Sequence, residues 1–430
     1  LTSFVMYCSF RHRLVADQDQ IAREVRQVIP EPTDNTLTPK AGALKGIVVL
    51  EVGMVMQVPL AGQVLGDLGA DVIKVERPQG DITRGLDFEA TRVGGMSSYY
   101  AAMGRNKRTL ALDLKNPVAK EILLQLVDQA DVLMHNFRPG VMERLGLGFA
   151  ELSARNPRLI YAAGFGFGES GPLASRPGQD MLAQAFSGLA RGGLEEHQPP
   201  HLTNSPIVDY GAAMSLVQGV LAALIERQTS GLGQVVSTCL YDVALAMQLC
   251  EIASESIYGT KTNWINQSIF FKTNDGWVSV VMLFRDNPLG LMCQALSLPD
   301  ISTRPELSTR ERQVANLSIV QEHCAQAIAS LTSGEVVQRL SDVDLLCTPV
   351  NEIADAVSQA QTAHNGIMWQ VNVPGRGTVP LAGLPVRLSR TPPGVRIHPA
   401  PIGAATDEVL SSFGFTAVAI AEARDKKAFG

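Results

Sequence analysis

Asp180 stands in Arg176-Pro-Gly-Gln-Asp180, after a glycine-rich loop and directly before a helical pattern. A carboxylate in that setting can cap the helix that follows, or it can act on a ligand held by the loop. The local pattern allows both. A second concentration of reactive chemistry lies between Lys74 and Lys115. Lys74, Arg77, Arg84, Arg92, Arg105, Lys107, Arg108 and Lys115 gather there in an otherwise acidic chain. Several follow predicted strands, at the edge where an open α/β sheet binds ligands, and cationic side chains there suit phosphate groups. The other reading of the same charges is a solvated basic face.

Other chemistries are set aside by spacing. No G-x-x-x-x-G-K-[ST] run cradles a phosphate, and no G-x-S-x-G run forms a nucleophile elbow. Gly164-Phe-Gly166-Phe-Gly168 follows a predicted strand, but Pro172 and Pro177 follow it where a dinucleotide site needs a helix N-terminus. His197 and His201 are four apart, but Pro199 and Pro200 between them prevent a shared helix face, so no metal site is expected. Cys8, Cys239, Cys250, Cys293, Cys324 and Cys347 form no C-x-x-C pair, and most lie in apolar stretches. They read as free core thiols of a reducing compartment, and the expected location is cytoplasmic.

The elements that must position Asp180 begin at Leu44. The apolar run Ile47–Val52 predicts a buried strand, Pro59–Leu68 a helix ended by Gly69, and Asp71–Glu76 a second strand. That is one right-handed β-α-β unit. Thr109–Asp113 predicts another strand, Asn116-Pro117 opens a helix, and Ala130–Met134 and Arg158–Ala163 predict two more strands. Asp180–Arg191 and Val208–Arg227 read as helices. Asn274-Asp-Gly276 predicts a hairpin between Ser268–Lys272 and Trp277–Met282, helical patterns run from Val314 to Leu340, and a helix lies near Thr406–Ser412. The fold class expected is α/β, a large domain with a mostly parallel sheet plus a smaller α+β domain.

With 430 residues and a formal net charge of -6, the chain has room for two or three domains and is not built to coat nucleic acid or an anionic membrane. No apolar run reaches the roughly 18 uncharged residues of a membrane span, and Ile47–Leu65 comes closest. Residues 1–40, with the linker-like Ile29–Pro39, read as an N-terminal extension. Its basic Arg11 and Arg13 follow the apolar stretch, unlike a secretory signal. The chain opens on Leu1, which suggests a processed, truncated or mis-assigned start. The expected organisation is an extension over 1–40, a large domain over 41–230, a small domain with linkers over 231–345, and a return to the large domain over 346–430.

Several segments together resemble the family III CoA transferases, the CaiB/BaiF and formyl-CoA transferase-like group. They are Leu44–Glu51, Leu65–Arg77, Asn106–Lys115, Asn136-Phe-Arg-Pro-Gly140, Asn156–Ile160, Gly164–Gly168, Arg176–Asp180 and Thr229–Gln234. Leu381–Pro385, Pro399–Pro401 and Asp407–Leu410 complete the set. The resemblance covers about Ala41 to Gly414. It implies a Rossmann-like large domain built from both ends of the chain, and a ring-shaped subunit in an interlocked homodimer. It implies acyl-CoA and a carboxylic acid as substrates and a chemistry that needs no prosthetic group and no metal; that no nucleic-acid or membrane partner is expected rests on the charge and the apolar runs above. The family's aspartate nucleophile falls on Asp180. Its CoA-contacting positions fall on Val55, Met56, Gln57, Arg77, Leu112, Lys115, Asn136, Phe137 and Arg144. The amides near Gly166 and Gly168 are candidate oxyanion donors.

Two departures narrow the activity. Leu86 follows Arg84-Gly85 where the formyl-CoA transferase branch carries tryptophan, which argues against formyl or oxalate. The α-methylacyl-CoA racemase branch pairs a histidine with the aspartate, but Gly178-Gln-Asp180 has glutamine there, and no histidine lies between Asn136 and Asp180. Racemase or epimerase chemistry and a non-catalytic CoA-binding role are the alternatives. Leu86, Met96, Tyr99 and Tyr100 would give a partly apolar acyl pocket, for a short- to medium-chain or dicarboxylic acid. Glu169, beside the glycine loop, reads as solvated, with the orienting of a carboxylate as the other reading.

Overall fold

The computed structural model describes residues 42–86, 95–192, 197–260 and 267–429. The extension read over 1–40, with Cys8, lies outside them, as does Arg92. The described residues fall into two compact units.

The larger unit is built on a six-stranded sheet, all parallel, in the order β3-β2-β1-β4-β5-β6. The strands are β1 Val48–Glu51, β2 Asp71–Glu76, β3 Lys107–Ala111, β4 Val132–His135, β5 Ile160–Phe165 and β6 Val235–Cys239. β1 to β5 are almost wholly buried, because helices cover both faces of the sheet. Successive side chains point to opposite faces. Leu50, Ile73, Leu110 and Leu133 pack with the helices α2 Pro117–Val127, α9 Thr406–Ser412 and α10 Ala417–Asp425. Val49, Val72, Val132 and Ile160 pack with α1 Gln57–Asp67 and α4 Ile207–Ser230. Asn116 caps α2 by accepting from the Val118 N–H, with Pro117 at the first helical position. α1 is buried at every residue, so its start is fixed in the sheet crevice.

Two shorter helices follow the glycine-rich loop and β6: α3 Asp180–Phe186 and α5 Leu240–Ala246. α3 is shorter than the helix read over Asp180–Arg191, because Ser187 ends it and Gly188 turns with φ +90°. The 24 residues of α4 are long and apolar enough to cross a membrane. Here Val208, Ala212, Leu216, Val220 and Ala223 are core residues.

The far end of the chain closes the exposed edge of the sheet. Thr109 Oγ1 on β3 donates to Pro401 O, and its carbonyl accepts from the Ala405 N–H. Asn106 Oδ1 accepts from the Arg396 and Ile397 N–H groups, and its Nδ2 donates to Gly394 O. A two-stranded sheet, β10 Met368–Val373 with β11 Gly377–Ala382, belongs to the same returning segment.

The smaller unit takes Gly192–Pro199 and Cys250–His364. Its sheet is antiparallel, β7 Ser268–Lys272, β8 Trp277–Val281 and β9 Leu346–Pro349. The hairpin turn is held by Asp275 Oδ1, which accepts from the Thr273 hydroxyl and the Ser333 N–H. α6 Pro288–Leu296, α7 Leu317–Ala329 and α8 Ser333–Asp342 cover one face. Because β9 pairs with β8, this unit reaches past the boundary at residue 345 read from the sequence. Cys293 and Cys324 are buried free thiols in its core, Cys347 is half-buried, and Cys250 is exposed.

Candidate active site

Strand order reverses between β1 and β4, whose neighbours are β2 on one side and β5 on the other. In an open α/β sheet the crevice at the carboxyl ends of such a pair is where ligands bind. Val55, Met56 and Gln57 follow β1, Arg77 follows β2, Leu112 and Lys115 follow β3, Asn136 and Phe137 follow β4, and Gly166 follows β5. The topology thus brings most of the sequence-derived positions to one edge.

Side-chain contacts join some of them closely. Asn136 bridges the crevice: its Oδ1 accepts from the Met54 N–H at 2.9 Å and its Nδ2 donates to the Met54 carbonyl at 2.7 Å. Val55 then adopts φ +68°, a left-handed backbone that a β-branched residue resists. Its N–H donates to Asp81 Oδ1 at 3.2 Å. Asp81 is held by Lys74, whose ammonium lies 3.0 Å from Oδ2, 2.8 Å from Glu51 Oε1 and 3.2 Å from Gly53 O. Lys107 reaches Glu51 Oε2 at 2.8 Å. Burial alone would lower Lys74, but Glu51, Asp81 and Glu76 outweigh it and hold the ammonium above its ordinary range. The loop from Gly53 to Gln57 is therefore fixed by buried charge from below and by Asn136 from the side.

This arrangement corrects the reading of the basic segment. Lys74, Arg84, Arg105, Lys107 and Arg108 pair with Asp81 and Glu51, Glu76, Asp67, Glu51, and Asp71 respectively. Lys74, Arg105 and Lys107 are almost fully buried. They are neither phosphate ligands nor a solvated face. Arg77, Lys115 and Arg144 remain exposed on the carboxyl edge. The Leu112 side chain is 1% exposed and belongs to the core. Phe137 is half-buried beside His135, whose Nδ1 accepts from the Phe137 N–H. Burial pushes His135 down to about 4.

The loop after β5 leads to Asp180. The Gln57 side chain lies against Gly164, where a Cβ would meet Gln57 Oε1 at 2.3 Å. Gln57 Nε2 is buried without a hydrogen-bond partner. Gly166 and Gly178 touch backbone to backbone: a Cβ on Gly178 would lie 2.2 Å from Gly166 Cα. That contact sets the glycine loop two residues before Asp180. Gly168 has φ +115°.

Asp180 opens α3 and is 3% exposed. Its carboxylate does not cap its own helix; it caps α4. Oδ2 accepts from the Val208 N–H at 2.7 Å and the Asp209 N–H at 3.0 Å. Oδ1 accepts from Gln184 Nε2 at 2.5 Å. Gln184, four residues on, is locked by Thr203, whose N–H and hydroxyl donate to its Oε1. Beside this pair, burial and the Asp180 charge raise Asp209 to about 7. An open cleft of about 370 Å³ lies next to α3, lined by Phe167, Arg176, Pro177, Leu182, Ala185 and Phe186. Phe167, Phe186 and Tyr241 form an aromatic cluster there.

The four residues read as an acyl pocket, Leu86, Met96, Tyr99 and Tyr100, differ in their surroundings. Tyr100 is buried against the Arg84–Glu76 pair, Met96 packs on Val371 and Val373, and Leu86 and Tyr99 are exposed. Glu169 is exposed. Gln184 and Asp209 were not singled out from the sequence. The i, i+4 spacing of Gln184 from Asp180 was the available signal, whereas the α4 amides come from residues far along the chain.

The profile of CoA-transferase family III matches residues 44–406. An acyl-CoA transferase of Fusarium pseudograminearum is 31% identical over 401 residues, covering 89% of this chain and 88% of that protein. The alpha subunit of a succinyl-CoA–L-malate CoA-transferase of Chloroflexus aurantiacus is 30% identical over 395 residues, covering 89% and 92%. A crystal structure of a CaiB/BaiF family protein from Brucella suis superposes with a TM-score of 0.78 at 25% identity, covering 87% of this chain and all of that one. The α/β fold with its switch-point crevice and buried aspartate is that of a group-transfer enzyme of this class. The chain belongs to CoA-transferase family III.

Proposed function

We propose that the chain moves CoA from an acyl-CoA thioester to a carboxylic acid, with Asp180 as the covalent carrier. The observation that carries this reading is the setting of the Asp180 carboxylate. It is buried beside the switch-point crevice, and its oxygens accept from three N–H donors, Gln184 Nε2 and the Val208 and Asp209 amides. A nucleophile held by dipoles rather than by a cation keeps its lone pairs directed and available.

Asp180 attacks the thioester carbonyl and the CoA thiolate leaves, forming a mixed anhydride. The thiolate then attacks the aspartyl carbonyl and releases the first acid, leaving an aspartyl-CoA thioester. The acceptor carboxylate reverses both steps. The acyl bond stays activated throughout, and each step uses only groups of the chain and its substrates. Gly166 and Gly168 are the proposed amide donors to the oxyanion formed on the donor's acyl carbon.

In the same reading, CoA lies along the carboxyl edge of the sheet. Val55, Met56, Gln57, Asn136 and Phe137 form its inner wall, Arg77, Lys115 and Arg144 meet its phosphates, and the Leu112 backbone lies beneath. The apolar cleft beside α3 favours an acyl group larger than formyl. The interlocked homodimer belongs to the proposal on the strength of the family resemblance alone, and a cytoplasmic location on the free thiols. The prediction for Asp180→Ala is a fall in transfer by roughly three orders of magnitude or more, with CoA affinity within a few-fold of the parent. Steady-state assays with a panel of acyl-CoAs, and calorimetric titration of CoA, check both halves. Retained transfer would sink the assignment.

A further inference from the structure

The two oxygens of Asp180 are not equivalent. Oδ2 faces two backbone donors, the Val208 and Asp209 N–H groups at 2.7 and 3.0 Å, at the N-terminus of a 24-residue helix. Oδ1 faces one side-chain donor, Gln184 Nε2 at 2.5 Å. Gln184 is 1% exposed and fixed by two donors from Thr203, so it holds Oδ1 in one orientation. Turning the carboxylate over would break all three bonds inside a buried site, where an unmade hydrogen bond is costly.

This asymmetry has a chemical consequence for the aspartyl intermediates. When the CoA thiolate attacks Cγ of the anhydride, negative charge develops on the aspartyl carbonyl oxygen. A pair of N–H groups at a helix N-terminus is suited to receive that charge, through both hydrogen bonding and the helix dipole. From this geometry we infer that the Val208 and Asp209 amides form the oxyanion hole for reactions at the aspartyl carbonyl. Oδ2 is the retained carbonyl oxygen, Oδ1 is the attacking and exchanging one, and Gln184 is a positioning residue for Oδ1. The inference rests on the covalent route proposed above.

Oδ1 bonds to the donor acyl carbon, the C–S bond breaks, and sulfur keeps the electron pair. The thiolate next bonds to Cγ. The charge moves to Oδ2 and returns, the Cγ–Oδ1 bond breaks, and Oδ1 departs within the first carboxylate. The acceptor carboxylate then bonds to Cγ through one of its oxygens, and the thiolate leaves. Attack of that thiolate on the acceptor's acyl carbon breaks the acyl C–O bond and leaves the acceptor's oxygen on Asp180 in the Oδ1 position. Every turnover therefore replaces one oxygen of Asp180 and never the one held by α4.

The test is many turnovers of the full-length enzyme in ordinary water, with an excess of acceptor acid carrying ¹⁸O in both carboxylate oxygens. The acceptor is the most active acid found in the transfer assay. The enzyme is then digested and the Asp180 peptide weighed. The expected result is a gain of about 2 Da that reaches a plateau, with one ¹⁸O also appearing in the released donor acid after the first turnover. A gain progressing to about 4 Da would show that the oxygens exchange roles and would overturn the inference while leaving the covalent route intact. Transfer without any label in Asp180 would overturn both, because the acid would then have left without an aspartyl oxygen.

Discussion

Asp209 is the residue whose protonation the site controls most visibly. Its N–H serves Asp180 while its own carboxyl, buried beside that charge, is raised to about 7. An unfolded aspartate titrates near ~3.9. Between these values the native state holds a proton that the unfolded state has lost, so this group's contribution to stability is full below about 4. It declines as pH rises toward about 7 and is flat above. Asp209→Asn removes the titration and keeps the backbone donor. Thermal unfolding scans from pH 4 to 8 are expected to show the variant gaining on the parent as pH rises, by on the order of 2–4 kcal/mol. Parallel curves would contradict the assignment. Asp180 itself was legible as a reactive or capping carboxylate, because a glycine-rich loop before a helix is a short-range pattern. Which helix it caps was not legible, since Val208 and Asp209 lie 28 and 29 residues away.

At the scale of the element, the loop from Gly53 to Gln57 is the part of the crevice most dependent on groups that touch no substrate. Asp81, backed by Lys74 and Glu51, holds the N–H of a left-handed Val55. A non-glycine residue in that conformation costs roughly 1–2 kcal/mol. Asp81→Asn weakens the grip on the loop. The expected effect is a rise in KM for the acyl-CoA donor of roughly 5- to 30-fold with a smaller change in kcat. Val55→Gly in the Asp81→Asn background removes the backbone penalty and is expected to recover part of that loss. Circular dichroism separates this from unfolding. A fall in kcat with unchanged KM and no recovery in the double variant would count against the account. The basic segment was misread at this same scale. Its carboxylate partners, Glu51, Asp67, Asp71, Glu76 and Asp81, lie on neighbouring strands, a helix and a turn, and a one-dimensional charge count does not pair them. The helical patterns from Val314 to Leu340 are separate helices, with Thr332 capping Ser333–Asp342 through a reciprocal bond with Glu335.

Over the whole molecule, β1 to β5 of the large sheet were legible from apolar runs bounded by Gly, Asn and Pro, because strands buried on both faces leave no alternation to confuse with a surface strand; β6 Val235–Cys239, partly exposed at the sheet edge, was not read. The closure of its edge was less so. Asn106, in a left-handed conformation at φ +58°, gathers Gly394, Arg396 and Ile397 from nearly 300 residues away. Asn106→Ala leaves the Arg396 and Ile397 N–H groups without that acceptor and strains the turn. The expected loss is about 2–4 kcal/mol in urea unfolding. A loss below about 0.5 kcal/mol would mean that the returning segment is held mainly by its apolar contacts. For the proposed dimer, sedimentation is expected to give twice the 46.1 kDa chain mass with no dissociation on dilution.

Peptide mass spectrometry is the direct test of the covalent role of Asp180. The enzyme is incubated with each of a panel of acyl-CoAs, trapped with hydroxylamine or borohydride, and digested. The account predicts a CoA adduct or a trapped modification confined to the Asp180 peptide and absent from Asp180→Ala. Transfer proceeding with that peptide unmodified under every donor and trap would contradict it.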